Sequence, residues 1–178
     1  MEAMSPQESR VRLTPDAFTA LYERTFADVY RYLYRGVIGN RSLAEDLTQE
    51  TFAAVVTAAR EGRSEVQSLP WMLGIARHKL IDHYRRAENE QRSLASMWSG
   101  AGEADDAFDE LEFERPAQVV ELLRNLSPRH RLVLILRYLD DLPVREVARS
   151  IGASVPAAES QLIRARRQLA RAYKEVAT

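Results

Sequence analysis

Cysteine is absent from the 178 residues. That absence removes a disulfide framework, a thiol nucleophile and a thiolate metal site together. It also fits a reducing compartment, without requiring one. Glycine totals seven, and none of these residues forms a phosphate-cradling loop of the Walker or dinucleotide type. The three histidines, His78, His83 and His130, include no pair at the i, i+4 spacing that lets two rings share a metal. The longest purely aliphatic run, "LVLIL" at 132–136, is far short of the roughly 20 residues of a membrane span. The opening "MEAMSPQESRVRL" has no apolar core of the signal-peptide kind. The expectation is a cytoplasmic, non-enzymatic protein with no catalytic residues, no metal, no cofactor and no membrane insertion.

What is present is charge, unevenly placed. The net charge of −1 conceals three blocks. Residues 1–86 hold 12 Lys/Arg against 11 Asp/Glu, residues 87–117 hold 2 against 9, and residues 118–178 hold 11 against 6. A basic end tethered through an acidic middle points to an anionic partner.

Helical periodicity runs through the chain, with no strand alternation and no internal repeat. Thr14-Pro15-Asp16 reads as an N-cap with proline at the first helical position. Phe18, Leu21, Tyr22, Phe26, Val29, Tyr30 and Leu33 recur at helical spacing behind it. The stretch "SLAEDLTQETF" (42–52) predicts a second helix from Ser42 to about Arg60, opened by a Ser42/Glu45 capping box. Glu45, Asp46, Gln49 and Glu50 share one side of it, and Leu43, Leu47, Phe52, Val55 and Val56 the other. A third helix is expected from near Pro70, with Leu73, Ala76, Leu80 and Tyr84 on one face. Its other face carries Trp71, Ile75, His78, Asp82 and Arg85, with Lys79 and Arg86 beside them. That mixture suits single-stranded nucleic acid, where rings stack and cations hold phosphate. Trp71 and Ile75 also read simply as core.

From Ala87 the composition turns to glycine, serine and acid, which reads as a flexible acidic linker (87–116) with a short helical piece near 106–114. A tail (1–13) is expected to be disordered. A second helical unit, 117–178, follows, with Ser127-Pro128 capping one helix. Within it, "PVREVARSIGASVPAAESQLIRARRQL" (143–169) fits a helix-turn-helix. Val147, Ala148 and Ile151 pack the first helix, Gly152 makes the turn, and Ser154 caps the second. Ala158, Leu162, Ala165 and Leu169 form the buried stripe, leaving Glu159, Ser160, Ile163, Arg164 and Arg167 outside. The same pattern would also serve an ordinary helical hairpin with a solvated basic face. The fold class is therefore all-α: two small helical domains, 14–86 and 117–178, joined by an acidic linker.

Three motifs in order resemble the extracytoplasmic-function sigma factors of bacterial RNA polymerase. "AEDLTQETF" is similar to their polymerase-binding helix and "LPWMLGIARHKLIDHYRR" (69–86) to their promoter-melting helix. "LSPRHRLVLILRYLDDLPVREVARSIGASVPAAESQLIRARRQL" (126–169) resembles their second conserved domain. The resemblance implies that the 14–86 unit is sigma region 2 and the 117–178 unit sigma region 4. It implies that Asp46, Gln49 and Glu50 dock on the beta-prime clamp helices of core RNA polymerase. Trp71, Arg77, His78, Lys79, Arg85 and Arg86, with the loop at 63–68, would meet the minus-ten element and an extruded base. Arg149, Glu159, Ser160, Arg164, Arg166 and Arg167 would meet the minus-thirty-five element in the major groove or on phosphate. Promoter DNA and core polymerase are the implied partners, with an anti-sigma protein a further one. A stand-alone helix-turn-helix regulator, or a helical adapter, are the alternatives. His78 stands where the family usually has asparagine, and Glu159 where it often has a base. An acid there can accept from a cytosine amino group, which implies an altered minus-thirty-five readout.

Overall fold

A computed structural model of the chain describes residues 14–61, 68–95 and 116–177. Its helices are α1 (Pro15–Gly36), α2 (Arg41–Arg60), α3 (Leu69–Ala95), α4 (Pro116–Asn125), α5 (Pro128–Leu134), α6 (Val144–Ile151) and α7 (Val155–Ala177). No strand occurs among the described residues. The expected tail, the 63–67 part of the loop and the short piece near 106–114 lie outside them.

The helices fall into two compact units that divide within α3, between Lys79 and Leu80. In the first unit α1 and α2 pair as a hairpin. Thr14 caps α1, its side chain accepting from the Ala17 N–H at 3.2 Å, with Pro15 at the first position. The core is Leu21, Val29 and Leu33 of α1, Leu47 and Val55 of α2, and Met72 and Ala76 of α3, each 2 % exposed or less. Three threonines are buried with them. Thr25, Thr48 and Thr51 each donate to the carbonyl four residues back, at 2.6–2.7 Å, so their burial strands no hydroxyl.

Two expectations need correction here. The cap of α2 is Asn40, whose side chain accepts from the Leu43 N–H at 3.2 Å. Ser42 lies inside the helix, and Glu45 reaches Arg41 rather than a backbone N–H. Asparagine caps as well as serine does, and the turn through Ile38 and Gly39, both at positive φ, delivers the chain to the helix two residues early. The second correction is length. α3 runs through Ala95, so residues 87–95 are helix where a linker was expected. "AENEQRSLA" contains no glycine or proline to stop it, and Arg92 bonds Glu88 one turn back at 3.0 Å.

In the second unit α4, α5 and α6 all pack on α7. Ser127 caps α5, accepting from the His130 N–H, with Pro128 at the first position. α5 does not stop cleanly but widens into a π-helical turn, Ile135–Leu139. Its core takes Leu80 and Tyr84 from α3, Leu126, Val133 and Leu136, Val147 and Ala148 of α6, and Ala158 and Ala165 of α7.

Tyr84 is 2 % exposed, with the Arg131 guanidinium 5.8 Å from its ring centroid. Burial pushes its hydroxyl up to about 12, against the opposing pull of the Arg131 charge and hydrogen bond. In the unfolded chain the phenol ionises near its ordinary value of about 10. Between those values the native state holds a proton the unfolded state has lost, so stability falls as pH rises. The contribution is complete below about pH 10 and disappears towards pH 12. Chemical denaturation across that window should show the fall, and Tyr84→Phe should flatten it. An equal fall in the variant would assign the effect to other groups.

Candidate nucleic-acid interface

α2 exposes Glu45, Asp46, Gln49 and Glu50 while burying Ala44, Leu47, Phe52 and Val55. Self-repulsion along this stripe is relieved from within. Glu45 accepts from Arg41 Nε at 2.9 Å, and this bond and charge raise the Arg41 guanidinium above its ordinary value. Glu50 Oε2 lies 3.2 Å from Lys79 Nζ of α3. Asp46 and Gln49 sit between these two paired ends. The Glu50–Lys79 pair joins a residue expected to meet polymerase to one expected to meet DNA, across 29 positions of sequence.

The α2/α3 seam of the first unit forms an open groove of about 850 Å³. Glu50, Ala53, Ala54 and Thr57 line one wall, and Trp71, Ile75, His78 and Lys79 the other. Trp71 and Ile75 are half-buried groove residues, neither full core nor fully exposed. His78 Nδ1 lies 2.7 Å from the Gly74 carbonyl. A carbonyl only accepts, so Nδ1 carries the proton and Nε2 is the acceptor of the neutral ring. Arg77 is half-buried. Arg86 is exposed and reaches the Asp82 carbonyl at 3.4 Å. Arg85, also exposed, donates to the Ser150 carbonyl at 2.7 Å.

The helix-turn-helix forms as its chemistry requires. Gly152 ends α6 in the left-handed region, φ 67° and ψ 39°, where glycine carries no Cβ penalty. The Ala153 N–H closes back on the Ala148 carbonyl at 2.9 Å, and Ser154 accepts from the Ala157 N–H at 3.4 Å. Ala158, Leu162, Ala165 and Leu169 are buried. Glu159, Ser160 and Arg164 are exposed beside Ile163, an apolar side chain 45 % exposed. Arg149 is exposed and lies 3.7 Å from Glu146. Arg166 and Arg167 are half-buried, so the fully outward face is narrower than the arginine spacing suggests.

Two features escaped sequence reasoning. The aromatic residues of α1 split away from its core stripe: Phe18, Tyr22, Phe26, Tyr30 and Tyr34 form a ladder with neighbouring centroids 5.0–6.3 Å apart. Their i, i+4 spacing was the available signal. The second feature is the cluster of Tyr84, Arg85 and Glu88 against α5 and α6. No local pattern announces it.

With this geometry in hand, the comparisons are decisive about kinship. Residues 21–90 match the family described as Sigma-70 region 2, and residues 117–169 that described as Sigma-70, region 4. Over 165 residues the chain is 30% identical to the ECF RNA polymerase sigma factor SigM of Bacillus subtilis, covering 86% of this chain and 93% of SigM. The chain belongs to the ECF sigma factor family. It is also 33% identical over 162 residues to the ECF RNA polymerase sigma factor BldN of Streptomyces coelicolor, a match spanning 88% of this chain but 60% of BldN. Among solved structures, the sigma factor RpoE in complex with the anti-sigma factor NepR from Bartonella quintana aligns with TM-score 0.52 at 17% identity, covering 88% of this chain and 96% of that one. At that identity the likeness speaks for the shared fold alone.

Within this sigma factor the region 2 match takes in most of α1, all of α2 and α3 as far as Glu90, and the region 4 match takes in α4 to α6 and α7 up to Leu169. Sigma factors are DNA-binding initiation factors rather than enzymes. Among the described residues no cluster of three His, Asp or Glu could hold a metal. No helix among them is long and apolar enough to cross a membrane.

Proposed function

We propose that this chain directs transcription initiation by binding core RNA polymerase, reading a minus-thirty-five and a minus-ten element, and helping to melt the duplex, with no bond chemistry of its own. Its domains are then 14–86 and 117–178, extended by the longer α3. The observation that carries the reading is the exposed face of α7, Glu159, Ser160, Ile163 and Arg164, set on a helix-turn-helix whose opposite stripe is fully packed. A helix held this way can lie in a major groove with its outer side chains on base edges. Asp46, Gln49 and Glu50 supply the polymerase contact, probing a basic surface with an acidic stripe. The α2/α3 groove lined by Trp71, His78 and Lys79, together with Arg77, Arg85 and Arg86 of the same helix α3, is the minus-ten surface. Core polymerase and promoter DNA are the partners, an anti-sigma protein is a further one, and the site of action is the cytoplasm where polymerase works.

Reconstitution tests the proposal. The purified chain with sigma-free core polymerase should start transcripts at defined positions on a panel of promoters, and core polymerase alone should not. DNA binding by the chain without any core-dependent start would favour a stand-alone regulator.

A further inference from the structure

We propose that the second unit holds a binding site for a small phosphate dianion, built from Arg85, Arg92 and Arg129 around a cavity. The site needs neither polymerase nor promoter binding, and every residue in it lies within Leu80–Thr178.

The cavity measures about 230 Å³, and the three arginines line it together with Glu88, Leu132 and Ile151. Three guanidiniums against one carboxylate leave an excess of two positive charges around one space. Glu88, the one acid of the lining, is already engaged. It accepts from Arg92 Nε at 3.0 Å and from the Arg129 backbone N–H at 3.3 Å. The way the arginines are held sets them apart from a solvated basic face. Arg85 gives Nη2 to the Ser150 carbonyl at 2.7 Å, Arg92 gives Nε to Glu88, and Arg129 gives Nε to the buried Gln161 at 2.7 Å. A guanidinium has five N–H donors in a rigid fork. One bond therefore orients each arginine and leaves its other nitrogens for a bidentate partner. Arg131, also in this unit, shows the alternative. Its Nε and Nη2 are spent on the carbonyls of Leu123, Arg124 and Leu126, as those of a structural arginine are.

The chemistry of the cavity selects its ligand. A phosphate monoester carries about −1.5 to −2 charges at neutral pH and three strong acceptor oxygens, which matches the excess of two charges and the three forks. A carboxylate brings one charge and two oxygens. A backbone phosphodiester of nucleic acid also brings one charge. Size narrows the choice further, because drug-sized ligands occupy roughly 300–1,000 Å³ and this space is smaller. Leu132 and Ile151 supply an apolar wall for a short carbon body. The ligand class is inorganic phosphate or the monoester head of a small metabolite.

Calorimetric titration of the whole chain in chloride buffer at fixed ionic strength tests the site. Inorganic phosphate should bind saturably, with one equivalent per chain. Glycerol 3-phosphate should bind as well or better, and the tighter of the two identifies the source. Dimethyl phosphate, which has the single charge of a DNA backbone diester, should bind at least ten-fold more weakly. Arg92→Gln and Arg129→Gln should each weaken phosphate binding at least ten-fold. Arg171→Gln should not, since Arg171 is exposed on α7 and does not line the cavity. Arg92 is exposed and its side chain bonds Glu88 alone, so lost binding in that variant with an unchanged circular dichroism spectrum is not unfolding. Phosphate should also raise the melting temperature of the parent chain and leave that of Arg92→Gln where it was. Heats that chloride reproduces at the same ionic strength would reduce the effect to charge screening and overturn the site. Equal binding of dimethyl phosphate would overturn the dianion as its ligand, and unchanged binding in both arginine variants would overturn the cavity as its place. With no polymerase or DNA present, the outcome is independent of the reconstitution.

Discussion

Asp46→Arg is expected to abolish co-purification with core polymerase while leaving the chain folded. The position is exposed on α2, one residue from Leu47, which is 2 % exposed on the opposite face. Arginine is a good helix former, and α2 keeps its Asn40 cap and its buried Leu47, Phe52 and Val55. Structure should therefore survive. Docking should not. An acid meeting a basic surface contributes attraction and excludes wrong partners, and reversing its sign sets like charges together at a cost of several kcal/mol, about 4 kcal/mol being roughly a thousandfold in affinity. The flanking pairs sharpen the choice of residue. Glu45 is engaged by Arg41 and Glu50 by Lys79, so reversing either also disturbs an internal contact, whereas Asp46 lies between them. Circular dichroism and thermal melting should match the parent chain. Normal co-purification of the variant would remove α2 from the docking surface.

How much of this was legible beforehand divides along a physical line. Local backbone chemistry could be read directly. Thr14-Pro15, Ser127-Pro128, Gly152 and Ser154 each satisfy or relax a backbone group within four residues, and each acts where its neighbours predicted. The α7 stripe of Ala158, Leu162, Ala165 and Leu169 was equally plain, because 3.6-residue periodicity needs no knowledge of the partner. Competition between adjacent signals was harder. Asn40 and Ser42 are both good caps, and only the turn through Ile38 and Gly39 decides between them. The π-helical turn at 135–139, which buries Ile135 and Leu136, was invisible, since no turn or capping residue in "ILRYL" announces it. Long-range pairs were beyond reach altogether. Glu50 with Lys79, and Arg85 with Ser150, are surface-type residues at ordinary helical positions, and nothing nearby in sequence announces their partners.

Arg164→Ala should separate the two ends of the molecule in the opposite sense. Arg164 is exposed on α7, with Ala158, Leu162 and Ala165 turned into the core. Truncation to alanine keeps helix propensity and removes only what projects outward. If the guanidinium reads a base edge, its loss costs about 1–3 kcal/mol, roughly five- to 150-fold in promoter affinity, and relaxes preference at one position of the minus-thirty-five element. If it contacts phosphate, binding weakens uniformly across sequences and the salt dependence drops by about one unit of slope. On the proposed reading Glu159, exposed in the first turns of α7, favours the first case, because an acid facing the groove repels phosphate and can accept from a cytosine amino group. Co-purification with core polymerase should be unaffected, since α2 is untouched. Transcription should fall at promoters that need the minus-thirty-five element and persist where the minus-ten element suffices. Binding measured at two salt concentrations on matched and mismatched elements distinguishes the two contacts. Undiminished transcription from every promoter would place recognition on a helix other than α7.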